Sequence, residues 1–432
     1  MLVTQPESRE RRASGPRIGL AVAGGGPVGL VYEIGALRAL DEALEGVDFN
    51  RLDVYVGVSA GAVTAALLAN RIPTESICQV FIANRSDEHP LDPRIFLMPA
   101  FGEYWRRLAS VPRLFGEACW HYLRNPLDLG LLQSLTRLGQ ALPAGFFDNE
   151  PIHEYLARMW SAPGRTNDFR ELANRLFVVA VDLDTGESVK LGGPGFEHVP
   201  ISRAVQASTA LPGLYPPVEI DGRSFVDGAL RKTMHASVAL QEDLDLLLCL
   251  NPLVPFDARL AAAAGKPTQV GRLVEGGLPV VLSQTFRALI HSRLQVGMRQ
   301  YDTEFEHTDV VLFEPDRDDA KMFFTNVFSF SGRRWVCEHA YQTTRQDLLA
   351  RREALEPILA RHGIRMRIDV LEDRNRHFDT GLSERPGLAA PARYRGRLVR
   401  ELHATLDRLQ DWIDSAPVGD ARRRASAPGQ LR

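Results

Sequence analysis

Residues 51–71 read RLDVYVGVSAGAVTAALLANR, and the rest of the chain is organised around them. Residues 52–56 are apolar and β-branched without a breaker, which predicts a short buried strand. Residues 62–69 are rich in Ala and Leu and predict a helix. Between them stands Gly57-Val58-Ser59-Ala60-Gly61, a G-x-S-x-G. A strand that turns straight into a helix brings the two elements close together. Small residues are then needed on both sides of the turn, and the residue at its apex is driven outward in a strained backbone conformation. That residue is Ser59. Its hydroxyl would lie near a helix N-terminus, whose unbonded amides favour developing negative charge. Alone, a G-x-S-x-G can be no more than a turn that caps a helix; the strand before it and the helix after it favour a nucleophile.

Upstream, residues 17–23 (RIGLAVA) predict a buried strand, and Gly24-Gly25-Gly26-Pro27-Val28-Gly29 a glycine loop. Leu30, Ile34, Leu37 and Leu40 then recur at helical spacing, and Glu45-Gly46 closes that helix. The order strand, glycine loop, helix, strand, serine turn, helix argues for an α/β fold with a mostly parallel sheet. Acyl transfer needs a nucleophile, a base and donors for the oxyanion. The amides of Gly24, Gly25 and Gly26 can point into one spot, and that of Ala60 would complete the hole. Pro27 has no N–H to give. The loop also spells G-x-G-x-x-G, the dinucleotide fingerprint, which requires an acidic residue at the end of the second strand. Here that strand ends in the Ser59 turn, and Asp53 stands at its beginning, so no nucleotide cofactor is expected.

Downstream, strand-like runs vanish over residues 72–162. Within 94–124, Phe96, Phe101, Tyr104, Trp105, Phe115, Trp120 and Tyr122 are interleaved with Arg94, Arg106, Arg107, Arg113 and Arg124. This predicts a helical insertion beside the sheet, packing as a cap or touching a lipid surface. The sheet resumes at 176–181, with a hairpin partner at 188–191. A helix follows over 201–210, then a second hairpin whose arms, 216–220 and 223–226, flank Asp221-Gly222. Further buried strands are expected at 244–250 and 310–313. Between them Leu282, Phe286, Leu289, Ile290, Leu294 and Met298 predict one apolar helix face, with Arg287, Arg293 and Arg299 nearby. Charged helices are expected over 334–362 and 390–413, a disordered arm over 1–16 and a disordered basic tail over 414–432.

The base is less sharply marked. A Ser-His-Asp triad needs a placed histidine; His235, His291 and His307 follow core strands, but none sits in a distinctive motif. Asp227, at the end of a hairpin arm in SFVDGAL, is the better-marked candidate, with Gly228 allowing a sharp turn beside it. The competing reading is a plain Asp-Gly turn. An aspartate near its ordinary pKa of about 3.9 is a weak base at neutral pH, so it would have to be positioned and partly desolvated to serve.

GGGPVG, GVSAG and DGA occur in the order and setting of the patatin-like phospholipases. AVDLDTGESVKL and ASTALPGLYPPVEIDGRSFVDGAL resemble that family as well. The resemblance covers residues 17–240. It implies a three-layer α/β/α sandwich. The strands and helices expected beyond 240 are read as an α/β and helical extension packed on the same core, over 241–413. The resemblance also implies a Ser-Asp dyad that needs no histidine and no metal, hydrolysing acyl esters of phospholipids or related lipids. By matching position Ser59 would be the nucleophile, Asp227 the proton acceptor, and Gly24, Gly25 and Gly26 the oxyanion loop. Gly29, Gly57, Gly61 and Gly228 are the remaining motif glycines. Many members carry Arg or Lys where this chain has Pro27-Val28. Without that charge a neutral lipid or small ester stays open. An α/β-hydrolase triad and a non-catalytic lipid-binding protein are the alternatives.

The totals fit this reading. A chain of 432 residues, 45% hydrophobic and 24% charged, can bury a large core, and its net charge of −3 gives no reason to expect nucleic acid. Cys78, Cys119, Cys249 and Cys337 are scattered without a C-x-x-C, the usage of a reducing compartment. The N-terminus has no apolar signal-like run, and no stretch approaches the ~18 apolar residues of a spanning helix. A cytoplasmic protein, in peripheral contact with a membrane at most, is expected.

Overall fold

The computed structural model describes residues 15–83, 91–102, 104–105, 143–265, 273–325 and 332–382. The arm before 15, much of the aromatic and arginine-rich insertion (with Phe115, Trp120 and Tyr122), the 390–413 helix and the basic tail lie outside the described residues.

One eight-stranded sheet organises the molecule. Its strands are β1 (Ile18–Val22), β3 (Val54–Val58), β4 (Arg175–Asp182), β5 (Ser188–Leu191), β6 (Val218–Ile220), β7 (Arg223–Asp227), β8 (Leu246–Leu250) and β9 (Asp309–Phe313). The order across it is β6-β7-β4-β3-β1-β8-β9, with β5 pairing to β4. The pairs β1–β3, β1–β8, β3–β4 and β8–β9 are parallel, and β4–β5, β4–β7 and β6–β7 antiparallel. The central strands are buried on both faces, as a covered parallel sheet requires, so they read as apolar runs rather than alternations.

Two cores lie on opposite faces. Leu20, Val22, Tyr55, Val178 and Ala180 face helices α1 (Gly26–Ala43) and α2 (Ala60–Ala69), together with α3 (Glu150–Trp160), α4 (Ile201–Ser208) and α6 (Arg333–Ala350). Ala21, Val56, Val58, Val179 and Cys249 face the other way, toward Ala236–Leu240 and the 28-residue helix α5 (Gly277–Glu304). The result is a mostly parallel sheet between two helical layers. Thr64 of α2 donates its hydroxyl to Glu33 of α1 at 2.7 Å, inside the first core. Burial pushes the Glu33 carboxyl well above its ordinary value.

Two details depart from the sequence reading. Helix α1 ends at Ala43; Leu44–Glu45 (β2) then pairs antiparallel with Arg365–Met366 (β10), so Glu45 lies in a strand rather than closing the helix. Two-residue strands carry too few side chains to show a period. Helix α5 is rotated from the expected face: Ile290, Leu294 and Met298 are buried, but Leu282 and Leu289 are exposed. Arg287, His291 and Tyr301 complete the buried stripe instead. The start of the expected helical insertion is helical: Thr74–Ile77 form a short helix and Cys78–Ala83 a π turn.

Candidate active site

The sheet positions the site at the C-terminal ends of its central strands. The glycine loop follows β1, the Ser59 turn follows β3, and Asp227 closes β7 beside β4. Helices α1 and α2 leave toward one face, while the chain after β8 leaves toward the other. A crevice opens where connections diverge in this way.

Ser59 sits at φ 52° and ψ −124°, a left-handed conformation that a serine adopts only under constraint. The constraint is visible on both sides. A Cβ on Gly61 would stand 2.4 Å from the Val22 carbonyl oxygen, so strand β1 closes the space behind the turn. The Ser59 amide donates to Ser208 Oγ at 2.8 Å, and that hydroxyl donates to the Val179 carbonyl at 2.6 Å. Helix α4 thereby ties the turn to strand β4.

Ser59 Oγ donates to Asp227 Oδ2 at 2.7 Å. The second carboxylate oxygen, Oδ1, accepts the Ala229 amide at 2.8 Å, which fixes the carboxylate plane. Gly228 is held against β4, where an added Cβ would meet the Val179 carbonyl oxygen at 2.2 Å. Both Ser59 and Asp227 are buried. Burial raises the Asp227 pKa, and the bonds from Ser59 and Ala229 oppose it, leaving the carboxyl at about 6.

The four expected oxyanion donors are not equivalent. The Gly24 amide donates to the Thr233 carbonyl at 3.0 Å, which removes Gly24 from the set and makes it a structural tie. Gly25 is the N-cap of α1 and Gly26, at φ 61°, its first residue; Ala60 opens α2. At such positions a helix leaves its first amides without intrahelical partners. Gly25, Gly26, Ala60, Ser59 and Asp227 all line one cavity of about 290 Å³. Its wall is otherwise nearly all apolar, including Leu30, Val63, Leu214 and Phe96.

Among the described residues no histidine bonds to Ser59 or Asp227. His235 Nε2 faces the Gly228 carbonyl at 3.3 Å, His291 Nε2 faces Gln295 at 3.0 Å, and His307 is exposed. Burial pulls His235 down to about 4. Sequence reading gave no role to Ser208 or Thr233. Ser208 falls in a helix that reads as ordinary amphipathic sequence, and its partners are 149 and 29 residues away.

The fold and this geometry meet an independent comparison. A family model described as patatin-like phospholipase matches residues 20–240. The chain belongs to the patatin-like phospholipase family. Curated relatives include uncharacterized NTE family proteins of Mycobacterium bovis and Mycobacterium tuberculosis, each 28% identical over 246 residues, 56% of this chain and 31% of the relative. The chain thus matches about a third of the length of these relatives. Solved structures that resemble it include VipD from Legionella pneumophila, with 17% identity and a TM-score of 0.28 over 61% of this chain and 56% of that one. The human GIVD cytosolic phospholipase A2 has 13% identity and a TM-score of 0.30, over 80% of this chain and 60% of that one. Both overlays are loose.

Proposed function

We propose that the protein is a lipid acyl hydrolase that works through Ser59 and Asp227. The observation that carries the reading is the 2.7 Å hydrogen bond from a strained, helix-capping serine to a buried carboxylate on the wall of an apolar cavity. Family membership supports the same reaction class.

The steps follow from the geometry. Ser59 Oγ attacks the ester carbonyl carbon as its proton passes to Asp227. The carbonyl oxygen becomes an oxyanion, met by the amides of Gly25, Gly26 and Ala60 and by the positive ends of α1 and α2. Collapse breaks the ester C–O bond, and the leaving alcohol takes the proton back from Asp227. Water then attacks the acyl-Ser59 carbonyl and gives its proton to Asp227. Ser59 Oγ then leaves the second tetrahedral intermediate as it takes the proton back from Asp227, which frees the fatty acid and restores both residues. A carboxyl at about 6 is ionised at neutral pH yet basic enough to accept the proton in passing.

The apolar wall suits an acyl chain. Phe101 and Trp105, exposed in the insertion, would suit contact with a lipid surface. Among the described residues no helix is long and apolar enough to cross a membrane.

The test is labelling with a fluorophosphonate, which reacts with an activated serine, alongside turnover of acyl esters. Wild type should label; Ser59→Ala should lose both label and turnover, and Asp227→Asn should lose turnover. Single His235→Ala and His291→Ala variants should stay active, and an inactive one among folded variants would favour a triad. A folded wild type that neither labels nor turns over would make this a binding protein.

A further inference from the structure

Helix α5 brings one unusual residue to the cavity. Arg287 lies on the buried stripe of that helix with Ile290, His291 and Leu294 and is 7% exposed. With its helix neighbours Ser283 and Phe286 it lines the cavity that holds Ser59 and Asp227. Among the described residues on that wall, Asp227 and Arg287 are the two charged side chains.

A guanidinium has five N–H donors in a planar fork and stays charged at neutral pH. Burying it is unfavourable unless an anion or a set of acceptors replaces its water. Here the replacements are sparse. Nη1 reaches the Val254 carbonyl at a long 3.4 Å, and Cζ lies 5.2 Å from the centre of the Phe323 ring. Among the described residues no carboxylate forms an ion pair with it. Two acidic residues, Asp316 and Asp319, line a small neighbouring pocket that Arg287 also borders. Asp316 is exposed, and Asp319 is engaged by His339 Nε2 at 2.5 Å and by the Met322 amide. Burial alone lowers the Arg287 pKa, to about 10, so it remains cationic across the neutral range.

The position of Arg287 is also held. Gln284, one turn earlier in α5, accepts from the Phe256 amide at 3.0 Å and donates to the Phe256 carbonyl at 2.8 Å. Phe256 stacks on Phe323 at 5.3 Å, and Phe323 carries the guanidinium on its face. This clamp keeps a buried cation on the wall of a mostly apolar chamber. A phosphate would satisfy several of the fork's donors at once.

We propose that Arg287 is a specificity residue: it binds the phosphate of a phosphoglyceride while an acyl ester of the same molecule reaches Ser59. The turnover half of this proposal rests on the Ser59–Asp227 reading; the binding half does not.

The experiment has two arms. In the first, a lysophosphatidylcholine and a monoacylglycerol with the same acyl chain are compared as substrates of wild type, Arg287→Gln and Arg287→Lys. The phosphate ester should be preferred by wild type. Arg287→Gln should lose roughly ten- to a hundredfold in kcat/KM on it, mostly through KM, with the monoacylglycerol changed less than about threefold. Arg287→Lys, which keeps the charge, should recover part of the loss. Equal losses on both substrates, or none, would overturn the proposal.

The second arm measures binding of the same two lipids and of inorganic phosphate to Ser59→Ala and to Ser59→Ala, Arg287→Gln. A phospholipid preference that disappears with Arg287 supports the proposal even if wild type turns over neither ester, which would count against the hydrolase reading instead. Phosphate bound as well as the lipid, with no preference between the lipids, would identify a free-phosphate site and overturn it. Arg287→Met, which removes the charge and keeps apolar bulk, should melt no lower than wild type. It should also show the same lost preference, which separates recognition from a folding defect.

Discussion

Replacing Asp227 by Asn should stabilise the protein while disabling it, and the size of the gain follows from the site. Asp227 is 3% exposed and accepts one hydrogen bond from Ser59 and one from Ala229. Those bonds do not offset its loss of water, and its pKa rises from 3.8 to about 6. At 1.36 kcal/mol per pKa unit this corresponds to ~3 kcal/mol against folding when the group is ionised. Below about pH 4 the carboxyl is neutral in both folded and unfolded chains, and the cost is absent. Between about 4 and 6 the unfolded chain ionises first, so stability falls as pH rises. Above about 6 the full cost is present. Asparagine is neutral throughout and nearly isosteric, and its oxygen can still accept the Ala229 amide. Its NH₂ faces Ser59 Oγ, which must turn to accept. The net gain at pH 8 should therefore be ~1–3 kcal/mol, shrinking toward zero at pH 4.

Urea unfolding of wild type and Asp227→Asn at pH 4, 6 and 8 measures that difference directly. In parallel, kcat/KM of wild type should rise with pH through an apparent pKa of about 6. Turnover by Asp227→Asn should fall by ~10²–10⁴. A variant less stable than wild type by the same amount at every pH would refute the electrostatic argument. Undiminished turnover would refute the role of Asp227 as base.

Other consequences are local. Ser208→Ala leaves the buried Ser59 amide without its acceptor; it should lower stability by ~1–3 kcal/mol in denaturant and reduce fluorophosphonate labelling, because the turn is no longer tied to β4. Gly61→Ala forces a methyl to within 2.4 Å of a strand carbonyl and should destabilise by at least ~1–3 kcal/mol in the same assay. Burial raises the Glu33 carboxyl well above its ordinary value, so wild type alone carries a cost of ionising a group in the core, and Glu33→Gln should gain in stability relative to wild type as pH rises, read by urea unfolding across a pH series.

Much of the fold is legible in the sequence. The 51–71 stretch carries its own proof: the turn needs small residues where two elements meet, and Gly57, Ala60 and Gly61 are there. Asp227 is less visible, because Asp-Gly marks an ordinary turn as readily as a site residue, and only the pairing of β7 with β4 brings its carboxylate beside Ser59. The bond that removes Gly24 from the oxyanion donors was invisible: it depends on the carbonyl of Thr233, whose side-chain identity says nothing about it. The burial of Arg287 is hidden for a related reason. Apolar periodicity assigns arginines to the outer face of a helix, and α5 turns one inward. A pattern built on hydrophobicity cannot flag a buried charge.

The same chamber would favour a carboxylate over an imidazole as the base of the proposed reaction. In that mechanism Asp227 becomes neutral as it takes the Ser59 proton, and the negative charge moves to the oxyanion met by helix N-termini. No new charge appears in the apolar cavity. A histidine base would become a cation beside the new oxyanion, creating two charges where water is scarce. The surroundings disfavour that cation: His235, buried just beyond Gly228, is pulled down to about 4. Asp227→His should therefore fail to restore activity. Its imidazole would be neutral and available at pH 7, yet too weak a base in that setting, and turnover should stay at least ~10²-fold below wild type. Recovery to near wild-type rates in that variant would mean the cavity tolerates the imidazolium, and the preference for aspartate would then need another cause.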